Sequence, residues 1–408
     1  MTQRIIEPER ELSVDFSCDV IVAGGGIAGI AAAMAAARGG KQVILIEREY
    51  ALGGMATLGL ITIYLPLCDG EGNQVVFGIG EELLKLSIKH GAEANYPDAW
   101  LNGGSLEDRI KQRYITQFNP HLFALSVEEL LCELGVTILY GTLICGVKKD
   151  KDFITHVIVE NKSGRSAIAA DSVIDCTGDA DVCHFAGAKT VLHQKGNGLA
   201  SWYYYLEDGS VKLKMFGLAD MPNIKAKPTA PKRNKYAEIA IPTIASTRFS
   251  GVNGSELSRA VIEAHTKMYD DILDARIANE SIVPVTIATI PLVRMSRRLD
   301  GAYTMDESED HVYMEDSIGT TGDWRKRGPV FEIPFRTLYG NDVKNLLAAG
   351  RDISVTDAMW DITRVIPPCA VTGEAAGSAA TLTNDFSSID IKNLQDILTG
   401  NKVKLHTK

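Results

Sequence analysis

The strongest constraint on this chain is the stretch Ala23-Gly24-Gly25-Gly26-Ile27-Ala28-Gly29, set between an apolar run and an alanine-rich one. Cys18 to Ala23 is short and rich in β-branched residues, the composition of a strand buried on both faces. Ile30 to Arg38 has high helix propensity and stops at Gly39-Gly40, and Gln42 to Glu47 reads as a second buried strand. The unit is βαβ, and its first turn is where α/β sheets take their ligands. Gly24, Gly26 and Gly29 fit G-x-G-x-x-G. The first glycine permits a tight turn, the second lets a pyrophosphate approach the backbone, and the third lets helix pack on strand. The helix start, with Ile27 and Ala28, offers N–H groups and a positive dipole end to phosphates. Glu47 ends the second strand about 20 residues on, where an acid accepts hydrogen bonds from ribose hydroxyls and disfavours the 2′-phosphate of NADP. The turn alone fits NAD or FAD.

With 408 residues there is room for two domains with their own cores. A formal charge of -10 argues against nucleic acid or an anionic membrane surface as the main partner. The one basic run, Lys225 to Lys235, reads as a solvated loop. The uncharged run Val20 to Ala37 has the length of a membrane span, but its glycines and alanines make it a poor one. Glu7, Glu9, Glu11, Asp15 and Asp19 before it are wrong for a signal peptide, so a cytoplasmic protein with no membrane partner is expected. Cys18, Cys68, Cys132, Cys145, Cys176, Cys183 and Cys369 form no CxxC pair, which disfavours a zinc or iron–sulfur site and leaves no metal expected.

Further along, Gly80 to His90 and Pro120 to Leu134 have helical patterns. Ile154 to Glu160 and Arg165 to Ala170 flank the turn Asn161-Lys162-Ser163-Gly164, a hairpin signal, which runs into a strand at Ser172 to Cys176. From about Ala188 to Glu332 aromatics cluster at Trp202 to Tyr205, loops lengthen, and a long helical pattern runs from Ser258 to Asn279. The tail returns to α/β character, with a strand at Val343 to Ala349, a turn at Gly350-Arg351-Asp352 and a small-residue helix at Pro368 to Leu382.

Together these segments resemble the FAD-dependent oxidoreductases that have a glutathione-reductase-like FAD-binding fold, the group labelled "FAD dependent oxidoreductase". The carriers are "DVIVAGGGIAGIAAAMAAARGGKQVILIE", "LGGMATLGLI" (Leu52 to Ile61), "DSVIDCTGDADV" (Asp171 to Val182) and "RMSRRLDGAY" (Arg294 to Tyr303). "FEIPFRTL" (Phe331 to Leu338), "NLLAAGRDIS" (Asn345 to Ser354) and "RVIPPCAVTGEAAGSAA" (Arg364 to Ala380) complete the set, which covers nearly the whole chain. The resemblance implies an α/β, α+β overall, architecture. A Rossmann-like FAD-binding domain with a β-meander is expected over 1–187, an inserted substrate domain over 188–332, and the return of the FAD-binding domain over 333–408.

It also implies roles. Gly24, Gly26, Gly29 and Glu47 would hold the ADP half, with Arg48 at the ribose or adenine edge. Gly53, Gly54, Met55, Ala56 and Thr57 look like the loop beside ribityl and pyrophosphate. Thr177, Gly178 and Asp179 resemble the turn over the adenosine half. Gly350, Arg351 and Asp352 resemble the element touching the ribityl chain, with either Arg351 or Asp352 making that contact. The final helix, which carries Gly373 and Ala375, would aim its positive end at the flavin pyrimidine, where reduction leaves negative charge. Family members often carry a histidine before this helix. Here Met359-Trp360-Asp361 stands there, so a histidine base or covalent flavin link is not supported at that point.

For the chemistry, Arg294, Arg297 and Arg298 would clamp a carboxylate or an oxyanion if they face the flavin, or else pair with Asp300, Asp306 or Glu307. Arg336 and Arg364 lie in family-like segments, and Tyr303 is a candidate proton donor or a buried hydroxyl with a structural partner. Cys176 and Cys183 lack the spacing of a redox pair. Gly78-Ile79-Gly80 lacks a third glycine and a preceding strand, so no NAD(P)H domain is evident. The expected function is hydride transfer between FAD and a small-molecule substrate. The alternative is an FAD-binding electron-transfer subunit working with an electron-acceptor protein, and a homo-oligomer is compatible with either. A tRNA-modifying flavoprotein is disfavoured by the acidic charge.

Overall fold

Val20 to Ala23 have no polar side chain and are completely buried, which places their strand β1 (Val14–Ala23) at the heart of a seven-stranded sheet. The computed structural model describes residues 5, 7, 9–216 and 248–407, and the basic run Lys225 to Lys235 lies outside them. Strand β2 (Val43–Ile46) pairs with β1 in parallel, and β3 (Thr137–Leu139) pairs with β2 in the same sense. The other side carries a meander: β4 (Leu143–Asp150), β5 (Phe153–Asn161) and β6 (Gly164–Asp175), antiparallel to one another. Strand order is β3-β2-β1-β6-β5-β4, with β7 (Leu346–Ala348) also on β6.

β6 is one continuous strand where the sequence suggests two. Along one edge it runs parallel to β1, from Val14 opposite Ala167 to Ala23 opposite Asp175. Along the other it changes partner. Its first half pairs antiparallel with β5, and its end, Val173 to Asp175, pairs parallel with β7.

Helix α1 (Ile27–Arg38) starts inside the glycine turn, three residues earlier than its alanine run suggests. It packs against α2 (Ile366–Ala379), whose residues are all buried. Apart from Arg38 at the end of α1 and the buried Glu374 in α2, both helices are apolar or small all round, as suits helices covered on nearly every side. A Cβ on Gly373 would run into the Ala28 carbonyl oxygen, and one on Gly377 into that of Ala32. These two residues let the helix backbones approach closely.

Residues 188–332 include a three-stranded antiparallel sheet, with Ser201–Glu207 between Ser210–Phe216 and Val283–Ile287, and the helix Gly254–Ala278. Strand alternation splits the aromatics. Trp202 and Tyr204 pack with Leu60, Met215 and Leu292, whereas Tyr203 faces Met268. The Tyr204 hydroxyl meets Thr62 Oγ1 at 2.6 Å and ties this sheet to the loop beyond Met55. Regular structure ahead of Arg294 ends at Ile287. No helix among the described residues is long and apolar enough to cross a membrane.

Candidate functional site

The three motif glycines do different work. Gly24 has φ +102°, and a Cβ there would stand 2.6 Å from the Cys176 carbonyl oxygen, so the turn closes directly on the end of β6. A Cβ on Gly29 would fall on the Gly24 carbonyl oxygen, which makes this residue the contact between helix and turn. A Cβ on Gly26 would meet nothing within 4 Å. The space it would enter belongs to a cavity of about 1300 Å³ whose wall includes Gly24, Gly26, Ile27 and Ala28. Drug-sized ligands occupy roughly 300–1,000 Å³, so this volume can take a dinucleotide with a smaller molecule beside it.

Glu47 and Arg48 stand on the same wall. Glu47 is 7% exposed, and its Oε2 accepts from the Gly25 N–H at 2.7 Å and its Oε1 from the Glu49 N–H at 2.9 Å. Burial pushes its carboxyl above the usual range, and these backbone donors pull the other way. Gly54, Met55 and Ala56 line the cavity from a short 3-10 turn. The Gly53 N–H donates to the Gly25 carbonyl at 2.8 Å, fastening this second glycine loop to the first. Thr57 stands behind the wall, its hydroxyl donating to the Leu52 carbonyl at 2.6 Å.

Thr177 and Gly178 line the cavity, and the Thr177 hydroxyl is held by Asp175 Oδ1 at 2.7 Å. Asp179 stands off the wall, accepting from the Ser296 hydroxyl, 3.6 Å from Arg351 Nη2. Its neighbour Asp181 does line the cavity and pairs with Arg297 at 2.5 Å. Burial and the nearby Asp179 push the Asp181 carboxyl up to about 6. Of the turn Gly350-Arg351-Asp352, the first two residues reach the cavity. Gly350 has φ +100°, and its N–H donates to Thr372 Oγ1 at 3.0 Å. Asp352 is turned away and fully buried, with Oδ2 accepting from the Ala180 N–H at 3.3 Å. Burial, with Asp175 beside it, drives its carboxyl well above the usual range. Gly29, Gly373 and Ala375 likewise lie off the wall, in the packing of α1 and α2. The start of α2 reaches the cavity through Val365, Ile366 and Cys369.

The expected chemical residues divide. Arg294 and Arg364 line the cavity. The Arg294 N–H donates to Asn197 Oδ1 at 3.0 Å, and Arg364 Nε donates to Asp361 Oδ1 at 3.1 Å. Arg298 is buried elsewhere, with its guanidinium 5.8 Å over the Trp360 ring. Arg336 and Tyr303 also stand apart from the wall. Arg336 forks onto Asp316 at 2.9 and 3.1 Å and lies 4.8 Å over the Tyr303 ring. The Tyr303 hydroxyl donates to Glu309, and burial with that carboxylate pushes it up to about 12.

Other wall residues went unnoticed in the sequence. Trp324, Arg325 and Arg327 come from a short basic run, and Arg113 from a distant one. Nothing local separates such runs from solvated loops. Trp202, by contrast, belongs to the aromatic cluster that stands out in the sequence, and it lines the cavity from its strand.

An open cradle above Gly26, an acid closing the second strand, and a second buried helix reaching the same cavity define a Rossmann-like dinucleotide-binding fold. The chain belongs to the FAD dependent oxidoreductase family, whose sequence model matches residues 19–398. FAD is the cofactor that this family implies, and the cradle fits it. No curated protein matches the chain. Solved structures similar to it include a geranylgeranyl bacteriochlorophyll reductase-like protein from Thermoplasma acidophilum, at 13% identity and TM-score 0.48, covering 94% of this chain and 84% of that one. Another is an anhydrotetracycline hydroxylase from Streptomyces rimosus, at 12% identity and TM-score 0.43, covering 94% of this chain and 65% of that one. A p-nitrophenol 4-monooxygenase from Pseudomonas putida matches at 11% identity and TM-score 0.41, covering 95% and 98% respectively.

Proposed function

We propose that the protein transfers a hydride between FAD and a small organic substrate. The observation that carries this is a cavity that runs without interruption from the Gly26 cradle past the start of α2 to a wall bearing Arg294, Arg325 and Arg364. Bound there, FAD supplies two-electron hydride chemistry. Gly24, Gly26 and the start of α1 hold its phosphates, and Glu47 accepts from its ribose. The start of α2 has Pro367 and Pro368 in its first turn and no side-chain cap, so it presents its positive dipole end to the cavity. Ile61, Ile63, Leu65 and Ile115 give the same cavity an apolar surface that excludes water from an organic substrate.

The test is spectroscopic. Purified protein should carry or take up FAD, seen as absorbance near about 450 nm, and one class among hydroxy acids, sugars, amines and enoates should bleach or restore that band anaerobically at catalytic rates. Failure to take up FAD rejects the reading. A bound flavin that exchanges electrons only with a protein partner points instead to the electron-transfer subunit.

A further inference from the structure

One part of the cavity wall carries more positive charge than the protein neutralises. Arg325 is matched, at 2.9 Å from Asp323 and 3.4 Å from Asp361. Arg113 is not: its Nη1 donates to the Trp324 carbonyl at 3.0 Å, its Nη2 to the Asp323 carbonyl at 3.4 Å, and its buried Nε finds no acceptor. Among the described residues no carboxylate lies within ion-pair distance of Arg113 or of Arg327, which stands exposed at the same wall. A partly desolvated guanidinium without a counter-charge is costly, and a ligand anion removes that cost. The wall is also joined to the residues that lead into α2. Trp324 Nε1 donates to the Asp361 carbonyl at 2.9 Å, and the Asp361 carboxylate holds Arg364 just before α2 begins.

We infer that the substrate is a small carboxylic acid whose carboxylate docks on Arg113 and Arg327, beside the already paired Arg325. The planar guanidinium fork of the exposed Arg327 matches a carboxylate in two parallel hydrogen bonds, the charge of Arg113 adds to the attraction, and the apolar part of the cavity receives the carbon skeleton. The chemistry done on that acid rests on the flavin reading above, whereas the docking does not need it.

The experiment is calorimetric titration of the full chain with benzoate, succinate, benzamide, succinamide and phenyl phosphate. At least one acid should bind at least about tenfold more tightly than its amide, and Arg327→Gln should weaken that acid by about 10- to 100-fold while leaving the amide unchanged. Arg113→Gln should do the same. If it does not fold, Arg327→Gln decides alone, since that side chain holds no ion pair. Equal binding of acids and amides, no binding at all, an unaffected Arg327→Gln, or a preference for phenyl phosphate over both acids overturns the inference. Protein that prefers acids but takes up no FAD would keep the anion site and sink the flavin reading.

Discussion

A methyl group added at Gly26 and one added at Gly29 meet opposite surroundings, and this separates ligand binding from packing. At Gly26 it enters open cavity, and at Gly29 it strikes the Gly24 carbonyl. Gly26→Ala should therefore leave the unfolding midpoint of the FAD-free protein unchanged and weaken FAD about tenfold or more, because the backbone no longer approaches the pyrophosphate. Gly29→Ala should cost about 1–3 kcal/mol of stability through overpacking, before any ligand is added. Denaturant unfolding together with FAD titration distinguishes the two. The difference is legible in the sequence, since the motif's spacing and its flanking strand and helix are local. The partner of Arg351 is not. Whether Arg351 or Asp352 faces the cavity depends on Ala180 and Asp175, which lie some 170 residues earlier. Arg113, Arg325 and Arg327 escaped for the same reason: two separate basic runs become one wall only when the chain folds.

Among the elements, α2 does more than reach the cavity. Its Glu374 is 1% exposed, and Oε2 accepts from the Ile79 N–H at 2.7 Å, at the start of the helix Gly78–Ser87. Burial pushes this carboxyl up to about 8, whereas in the unfolded chain it titrates near about 4.3. Between those values the folded protein holds a proton that the unfolded chain has released. Stability therefore falls as pH rises, by up to ~1.4 kcal/mol per unit, and levels off above the folded value. Glu374→Gln keeps an oxygen for Ile79 and removes the titration, so its denaturation midpoint should vary less across that window than the wild type's. A slope as steep as before would assign the proton to another group. Helices and strands with strong local patterns were legible to within a few residues, as at Pro120–Glu133 and Gly254–Ala278. The Gly78–Ser87 helix was legible too, but the carboxylate at its start was not, because it comes from a helix nearly 300 residues away.

For the whole molecule, the cavity wall is drawn from both ends of the chain, from Gly24 to Cys369. A ligand that bridges these segments binds only the folded state. At about 100 times its Kd, FAD should add ~2.7 kcal/mol, which for a chain of this size means a rise in Tm of a few degrees. Gly26→Ala should lose most of that rise at the same FAD concentration, and differential scanning calorimetry reads both.

The change of partner along β6 also bears on synthesis. Val173 to Asp175 wait for Leu346 to Ala348, about 170 residues later. At roughly 5–20 residues per second the ribosome needs on the order of 10–30 s to deliver them. During that interval the nascent chain exposes an apolar strand edge of the kind that invites pairing with other chains. Chains stalled before Leu346 should therefore be protease-sensitive and retained by chaperones, whereas chains released from the ribosome should resist cleavage. The sheet that β1 begins is closed only when β7 follows, so the pace of elongation between them is part of how this protein reaches its fold.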